Sequence, residues 1–111
     1  MLHQMKLYAS PFEKIKSGTK TIEMRLNDEK RSILKIGDEI EFTNIENYET
    51  IKCIILNLYK YKDFNELYSH HDKESIGYSK DEVANPCDML SYYTIDDIKK
   101  YGSLAIEIKL L

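Results

Sequence analysis

Short stretches of alternating apolar and polar residues recur along this chain, as in strands that bury one face. The clearest is residues 104–110, where every second residue is apolar, and it predicts a closing strand. The same alternation predicts three earlier strands, at residues 4–8, 20–26 and 39–43. Residues 50–60 are apolar on both faces over part of their length, which predicts a central strand of the sheet.

The residues between the first two strands predict a helix. Ser10 can cap it, Pro11 suits its first position, and Glu13 completes a capping box. Gly18 supplies the left-handed residue that ends the helix.

Two further helices follow the long strand. Asp63 caps the first of them, which is predicted over residues 63–71. Residues 94–97 (Thr-Ile-Asp-Asp) can cap a last helix, which ends near Gly102.

Residues 78–93 predict a short helix from Ser79, a break at Pro86 and a further ordered segment over residues 88–93. The order of elements is therefore strand, helix, three strands, helical region and strand. This order predicts an α+β fold with a small, mixed or mostly antiparallel sheet or barrel, in a single domain over residues 1–111. Periodicity alone leaves open whether the sheet closes.

Composition and charge narrow the classes of function. No apolar run approaches the roughly 18 residues of a membrane span, and the N-terminus lacks a signal-peptide pattern, so we predict a cytoplasmic protein without a membrane partner. Residues 1–35 hold eight Lys/Arg and four Asp/Glu, whereas the remainder is acidic. The basic third can attract a polyanion, but the acidic remainder argues against tight binding of duplex DNA.

The cysteines and histidines do not predict a metal site. Cys53 lies in an apolar run and is expected to be buried, whereas Cys87 follows a proline and is expected to be exposed. The two cysteines lack the spacing of paired metal ligands. His70 and His71 are neighbours at a helix end, without an obvious third ligand. We therefore predict no metal and no cofactor.

The most informative chemistry lies in residues 17–26. Lys20, Glu23 and Arg25 crowd both signs of charge into six residues after the helix-ending glycine. Arg25 can grip a phosphate, Lys20 can add charge or act as a base, and Glu23 can orient Lys20 or accept from a base amino group. Because strand geometry puts Lys20 opposite Glu23, all three converge only if Lys20 lies on the loop before the strand. The alternative is a Glu23–Arg25 pair on a solvated strand face.

The motif in this segment has a specific setting. It reads Gly18-x-Lys20-x-x-Glu23-x-Arg25 and is followed by Lys35-Ile-Gly-Asp38 and a strand. Three dipeptides accompany it, Gly77-Tyr78, Tyr92-Tyr93 and Tyr101-Gly102. In these features nearly the whole chain resembles the ASCH domain family, named for homology to an activating signal cointegrator. The resemblance implies a PUA-like β-barrel, with a cleft beside it for RNA or a nucleoside-like ligand.

One bacterial branch of that family, which deacetylates acetylcytidine, is thought to use a lysine, a threonine three residues later and a distant glutamate. Lys20 matches the lysine, but Glu23 stands in the place of the threonine, and a carboxylate cannot replace a hydroxyl nucleophile without a change of mechanism. The hydroxyl of Thr21 is expected on the other face from Lys20. Glu74 and Glu82 are both candidates for the distant glutamate. Other members of the family are reported to cleave RNA.

The chain has nine tyrosines, and Tyr78 and Tyr92 fall in the segment expected to flank the cleft. Aromatic rings near basic groups suit base stacking, although most of the nine are expected to fill the rim of a small core. We therefore predict binding of RNA or a nucleotide. The predicted ligand-binding residues are Lys20, Thr21, Glu23, Arg25, Tyr78 and Tyr92. One alternative is a small hydrolase with Lys20 and Glu23 as catalytic residues, and another is a non-catalytic protein-interaction domain.

Overall fold

The computed structural model describes residues 1–111 and contains five strands and three α-helices. The strands are β1 (Leu2–Leu7), β2 (Ile22–Leu26), β3 (Glu39–Asn44), β4 (Thr50–Tyr61) and β5 (Ser103–Leu110). The α-helices are α1 (Ala9–Lys16), α2 (Phe64–His70) and α3 (Ile95–Tyr101), and a 3₁₀ helix spans Pro86–Ser91. This order confirms the predicted α+β class. None of the helices combines the length and apolar character that a membrane crossing requires.

The strands form one sheet in the order β1-β3-β4-β5-β2. β1 runs parallel to β3, and all other neighbours are antiparallel, so the sheet is mixed. A bulge between Ile55 and Asn57 interrupts the β4–β5 ladder, and irregularities of this kind bend a strand and increase its twist. The sheet curls into a half-barrel, which leaves an open seam between the edge strands β1 and β2.

A side chain bridges this seam. Arg25 on β2 donates from Nη2 to the backbone carbonyl oxygen of Lys6 on β1, at 3.0 Å. Edge strands carry backbone groups that no neighbouring strand satisfies, and this bond occupies one of them. The two edges are therefore joined by a guanidinium rather than by a strand ladder.

Two apolar clusters hold the sheet and its helices together. The larger fills the inside of the curl, where Phe12 and Ile15 of α1 pack against the inward side chains of β1, β3, β4 and β5. The smaller joins α2 and the 3₁₀ helix to β2 and β5 through Phe64, Leu67 and Met89. β5 contributes to both clusters and is therefore buried on both faces over residues 103–106.

The first helix begins earlier than its sequence predicts. Tyr8, not Ser10, is the capping residue, and no side chain caps the helix, so the predicted capping box is wrong. The first helical bond runs from the Phe12 amide to the Tyr8 carbonyl oxygen at 3.1 Å. Pro11 remains compatible with this register because first-turn amides have no helical partner to lose.

The short helix predicted from Ser79 is also wrong. The backbone amide and the hydroxyl of Ser79 both donate to the Glu82 carboxylate, which closes a turn. Such bonds compete with helical ones, and no helix follows until Pro86 opens the 3₁₀ helix. Residues 88–93 therefore lie partly in the 3₁₀ helix and partly in the turn after it.

The other predicted caps are confirmed. Asp63 accepts from the Glu66 amide at 2.9 Å at the start of α2. Thr94 accepts from the Asp97 amide at 3.1 Å at the start of α3, which ends at Gly102. Gly102 has φ 74° and ψ −173°, a region open essentially to glycine alone. A Cβ there would lie 2.4 Å from the Tyr61 carbonyl oxygen, so the end of β4 packs directly onto this backbone.

Gly102→Ala tests whether that close packing limits stability. Gly37→Ala is the matched control, because Gly37 has φ 92° but nothing lies within 4 Å of its Cβ position. The control should lose about 1–2 kcal/mol of unfolding free energy from backbone strain alone. Gly102→Ala should lose roughly 1–3 kcal/mol more, because the new methyl group overpacks the contact. Urea unfolding measures both, and equal losses would contradict the close-packing argument.

Candidate functional site

The motif at residues 18–25 is positioned by the junction between α1 and β2. Lys20 lies on the loop before β2, as convergence with Glu23 and Arg25 requires. Its backbone amide donates to the carbonyl oxygen of Lys14 at 3.0 Å, which fixes the loop against the helix that precedes it. The amides of Thr21 and Ile22 both donate to the Ser75 carbonyl oxygen, so the same loop is also tied to the segment after α2.

Lys20, Glu23 and Arg25 form one buried ion cluster. Lys20 Nζ lies 2.9 Å from Glu23 Oε1, and Arg25 Nε lies 2.7 Å from Glu23 Oε2. Glu23 is 4% exposed and Lys20 is 7% exposed. The alternative of a Glu23–Arg25 pair on a solvated strand face is therefore wrong, because both oxygens of a buried carboxylate are engaged by separate cations.

The protonation of Glu23 follows from these contacts. Burial alone would raise the pKa of its carboxyl group, but the charges and hydrogen bonds of Lys20 and Arg25 outweigh burial and lower the pKa below its usual value near 4.5. Glu23 is therefore ionised at neutral pH. One carboxylate between two cations leaves the cluster with a surplus of one positive charge.

Gly77 covers the side chain of Lys20. Gly77 has φ 114°, and a Cβ built there would lie 3.2 Å from Lys20 Cδ and 3.5 Å from Nζ. Lys14 donates from Nζ to the Gly77 carbonyl oxygen at 2.7 Å, so a second lysine holds the same peptide in place. The absence of a side chain at residue 77 is what allows the chain to approach the buried ammonium this closely.

The ion cluster lies in an open cleft of about 810 Å³. Its basic lining residues are Lys6, Lys14, Lys20 and Arg25, and its acidic ones are Glu23, Glu82 and Asp88. Five tyrosines also line it: Tyr8, Tyr68, Tyr78, Tyr92 and Tyr93. The walls come from β1, α1, β2 and residues 76–93, with Ile45 and with Tyr68 of α2, so the cleft opens at the seam of the half-barrel.

Tyr78 is hydrogen-bonded within its wall. Its hydroxyl lies 2.9 Å from the Tyr68 hydroxyl and 2.7 Å from Asp88 Oδ2, with the Asn85 carbonyl oxygen at 3.2 Å. Burial raises the pKa of both tyrosines, and the hydrogen bond with Asp88 adds to the rise at Tyr78. Both hydroxyls are therefore protonated at neutral pH and able to donate.

The predicted ligand-binding residues divide into two groups. Five of the six line the cleft: Lys20, Glu23, Arg25, Tyr78 and Tyr92. Thr21 does not, and instead borders a separate hollow of about 420 Å³ beside β5. Of the two candidates for a distant acid, Glu82 lines the cleft, whereas Glu74 does not.

Sequence reasoning did not single out several polar and aromatic residues of the cleft, among them Lys6, Tyr8, Lys14, Tyr68 and Asp88. The first two belong to the end of β1 and the residue after it, and a polar strand end beside the motif is a signal that points to them. Asp88 carries no such signal, because its place depends on the 3₁₀ helix. His70 and His71 lie away from the cleft, and no three His, Cys, Asp or Glu side chains gather in a way that could hold a metal ion.

Comparison with known proteins gives this half-barrel and its buried cluster a family. Residues 5–111 match the family model of the ASCH domain, so the chain belongs to the ASCH domain family. No curated protein is significantly similar to the chain.

Solved structures agree with this assignment. The hypothetical protein PH0355 is 32% identical, with 100% of both chains covered and a TM-score of 0.85. The protein PF0455 of Pyrococcus furiosus is also 32% identical, with 100% of this chain and 98% of that one covered and a TM-score of 0.78. The ASCH protein of Zymomonas mobilis is 15% identical over 97% of this chain and 66% of its own, with a TM-score of 0.69, and it shows the fold alone.

Glu23→Gln tests the energetic role of the ion cluster. The substitution keeps the shape of the side chain but leaves Lys20 and Arg25 without their counterion. We expect a loss of about 3–5 kcal/mol of unfolding free energy at pH 7, as for other buried pairs that lose one partner. Glu49→Gln, which breaks the exposed pair with Lys16, is the control and should cost much less. Similar losses in urea unfolding would contradict a central role for Glu23.

The same variant gives a pH test. Because the pKa of Glu23 is lowered on folding, its stabilisation is complete above pH 4.5 and is lost as the pH falls through the folded-state value. The difference in unfolding free energy between wild type and Glu23→Gln should therefore be constant between pH 5.5 and 7, and should shrink below about pH 4.5. A difference that stays constant down to pH 3 would show that the charge of Glu23 is not what stabilises the fold.

Proposed function

We propose that this chain binds single-stranded RNA or a nucleotide in the cleft at the half-barrel seam. The observation that carries the proposal is the meeting of a surplus of positive charge with exposed aromatic rings in one concave site. A phosphate needs the first and an unstacked base needs the second.

The basic wall suits a phosphate group. Arg25 commits Nε to Glu23 and one bond from Nη2 to Lys6, which leaves Nη1 available for an anion. Lys6 is exposed and makes no ion pair, so its ammonium is also available. A guanidinium held on two sides loses little freedom when a phosphate binds, which favours affinity.

The aromatic residues suit a base. Tyr8 and Tyr92 are each 58% exposed, and their ring centroids lie 6.4 Å apart at an angle of 41°. Exposed rings at the mouth of a cationic cleft offer faces on which a base can stack, with a gain of about 1–3 kcal/mol per base.

The alternative of a hydrolase fits the same contacts less well. A general base works best with a pKa near the operating pH, whereas the pKa of Glu23 is lowered and both of its oxygens are already engaged. Lys20 is likewise held by this carboxylate at 2.9 Å. A protein-interaction domain without a ligand also has less support, since the motif lines a cleft rather than a flat surface.

Two cleft variants and two matched controls test the proposal by fluorescence anisotropy with short single-stranded RNA at low salt. Tyr92→Ala should weaken binding about fivefold or more, from the loss of one stacking surface. Lys6→Ala should weaken binding and reduce the slope of log affinity against log salt by roughly one. Tyr48→Ala and Lys52→Ala alter an exposed tyrosine and an exposed lysine outside the cleft, and they should leave affinity unchanged.

The outcomes separate the competing functions. Absence of binding to RNA and to free nucleotides at low salt would reject the proposal, as would equal effects from cleft and control variants. The same protein should be incubated with acetylcytidine and with single-stranded RNA, and the products separated by chromatography. If the protein turns over either substrate and Lys20→Ala abolishes this activity, the hydrolase function would be favoured over binding alone. If the activity survives in Lys20→Ala, the catalytic residues lie outside this site.

A further inference from the structure

Three carboxylates line the cleft, and their contacts set one of them apart. Glu23 is engaged by Lys20 and Arg25. Glu82 accepts from Ser79 and lies 3.7 Å from Lys14 Nζ. Asp88 has no basic partner, and its one side-chain contact is the Tyr78 hydroxyl on Oδ2. Its Oδ1 atom is therefore an acceptor with no donor from the protein.

A chain of hydroxyl groups orients this carboxylate. Tyr78 has one proton, and the contact with Asp88 at 2.7 Å is shorter and charge-assisted in comparison with the Asn85 carbonyl contact at 3.2 Å. Because Tyr78 donates to Asp88, the hydroxyl of Tyr68 must donate to Tyr78. The direction of donation is thus Tyr68 to Tyr78 to Asp88, so it begins at the half-buried Tyr68 and ends at the exposed Asp88.

Building on the function proposed above, we propose that Asp88 selects nucleotides whose base carries an exocyclic amino group. A carboxylate accepts hydrogen bonds and cannot donate them. Cytosine, adenine and guanine present an amino group, and carboxylates accept from the amino group of cytosine in known complexes. Uracil presents a carbonyl oxygen, O4, in the place of the cytosine amino group, and this oxygen cannot donate to Asp88.

The two walls of the cleft therefore have separate tasks. The side formed by Lys6, Lys20 and Arg25 takes the phosphate, and residues 78–93 read the base with Asp88. Tyr68 is a positioning residue in this scheme, because it touches Tyr78 rather than the ligand. Tyr92 directly follows the 3₁₀ helix that carries Asp88, so stacking of the base on Tyr92 keeps both contacts on one segment.

Isothermal titration with two pairs of nucleotides tests the inference. Cytidine and uridine 5′-monophosphates differ by an amino group against a carbonyl, and adenosine and inosine 5′-monophosphates differ in the same way. Wild type should favour the amino member of each pair by about tenfold, as for one good polar contact to a base. Asp88→Asn, whose amide can also donate, should abolish or reverse the preference. Asp81→Asn, an exposed neighbour outside the cleft, should preserve it.

Tyr68→Phe provides a second readout that does not change Asp88 itself. It removes the donor to Tyr78, so the preference should fall while affinity for uridine monophosphate stays the same. A general loss of fold would instead lower affinity for all four nucleotides, which thermal unfolding of the variant would reveal.

Each failure has its own signature. If none of the four nucleotides binds to wild type, both this inference and the proposed function fail for free nucleotides. If all four bind equally, or if Asp88→Asn keeps the wild-type preference, the inference alone is overturned. Weaker binding of deoxycytidine than of cytidine monophosphate, lost in Asp88→Asn, would mean that Asp88 reads the ribose hydroxyl and would also overturn it.

Discussion

The buried carboxylate of Glu23 is the constraint on which the rest of the cleft depends. Removing a charge from water costs several kcal/mol, and a single counterion seldom recovers that cost. Here two cations, Lys20 and Arg25, together offset the cost of burying Glu23, and each of them also contacts another part of the chain. Lys20 is fixed by the loop after α1 and by the peptide of Gly77. Arg25 reaches across the seam to β1. One side chain on β2 therefore ties together three parts of the chain that are distant in sequence.

This arrangement explains why the half-barrel needs no sixth strand to join its edges. A backbone ladder between β1 and β2 would close the barrel, but it would also fill the seam and remove the cleft. The guanidinium of Arg25 spans the gap between the two edges. Its Nε donates to Glu23 on β2, and its Nη2 donates to the Lys6 carbonyl oxygen on β1. Closure by a side chain thus preserves an opening, and the charge that closes the seam is the same charge that we propose as the phosphate site.

The sequence predicted the parts of this molecule that local patterns determine. Four strands follow from alternation and β4 follows from its apolar run, and the caps of α2 and α3 follow from Asp63 and Thr94. The errors fall where a local signal met a competing contact. Serine commonly caps helices, yet the helix begins two residues before Ser10, at Tyr8 with its extended backbone. The place of Asp88 in the cleft depends on a 3₁₀ helix packed against α2, and the burial of Lys20 depends on the close approach of Gly77, which is far away in the sequence. Contacts between residues this far apart in the sequence do not produce a periodic pattern of apolar and polar positions.

The division between satisfied and free groups separates the problem of folding from that of recognition. Lys20 and Glu23 are engaged with each other, and Arg25 is engaged through Nε and Nη2, so the three residues shape the cleft and set its charge without requiring a ligand. Lys6, Tyr8, Tyr92 and the outer oxygen of Asp88 have few internal partners, so the proposed ligand would gain energy from them without breaking existing bonds. A motif that identifies the family therefore does not identify the ligand. In the function proposed above that information lies in the rim residues, which have few contacts with the protein, and it is at the rim that substitution should change what the cleft binds while leaving the half-barrel intact.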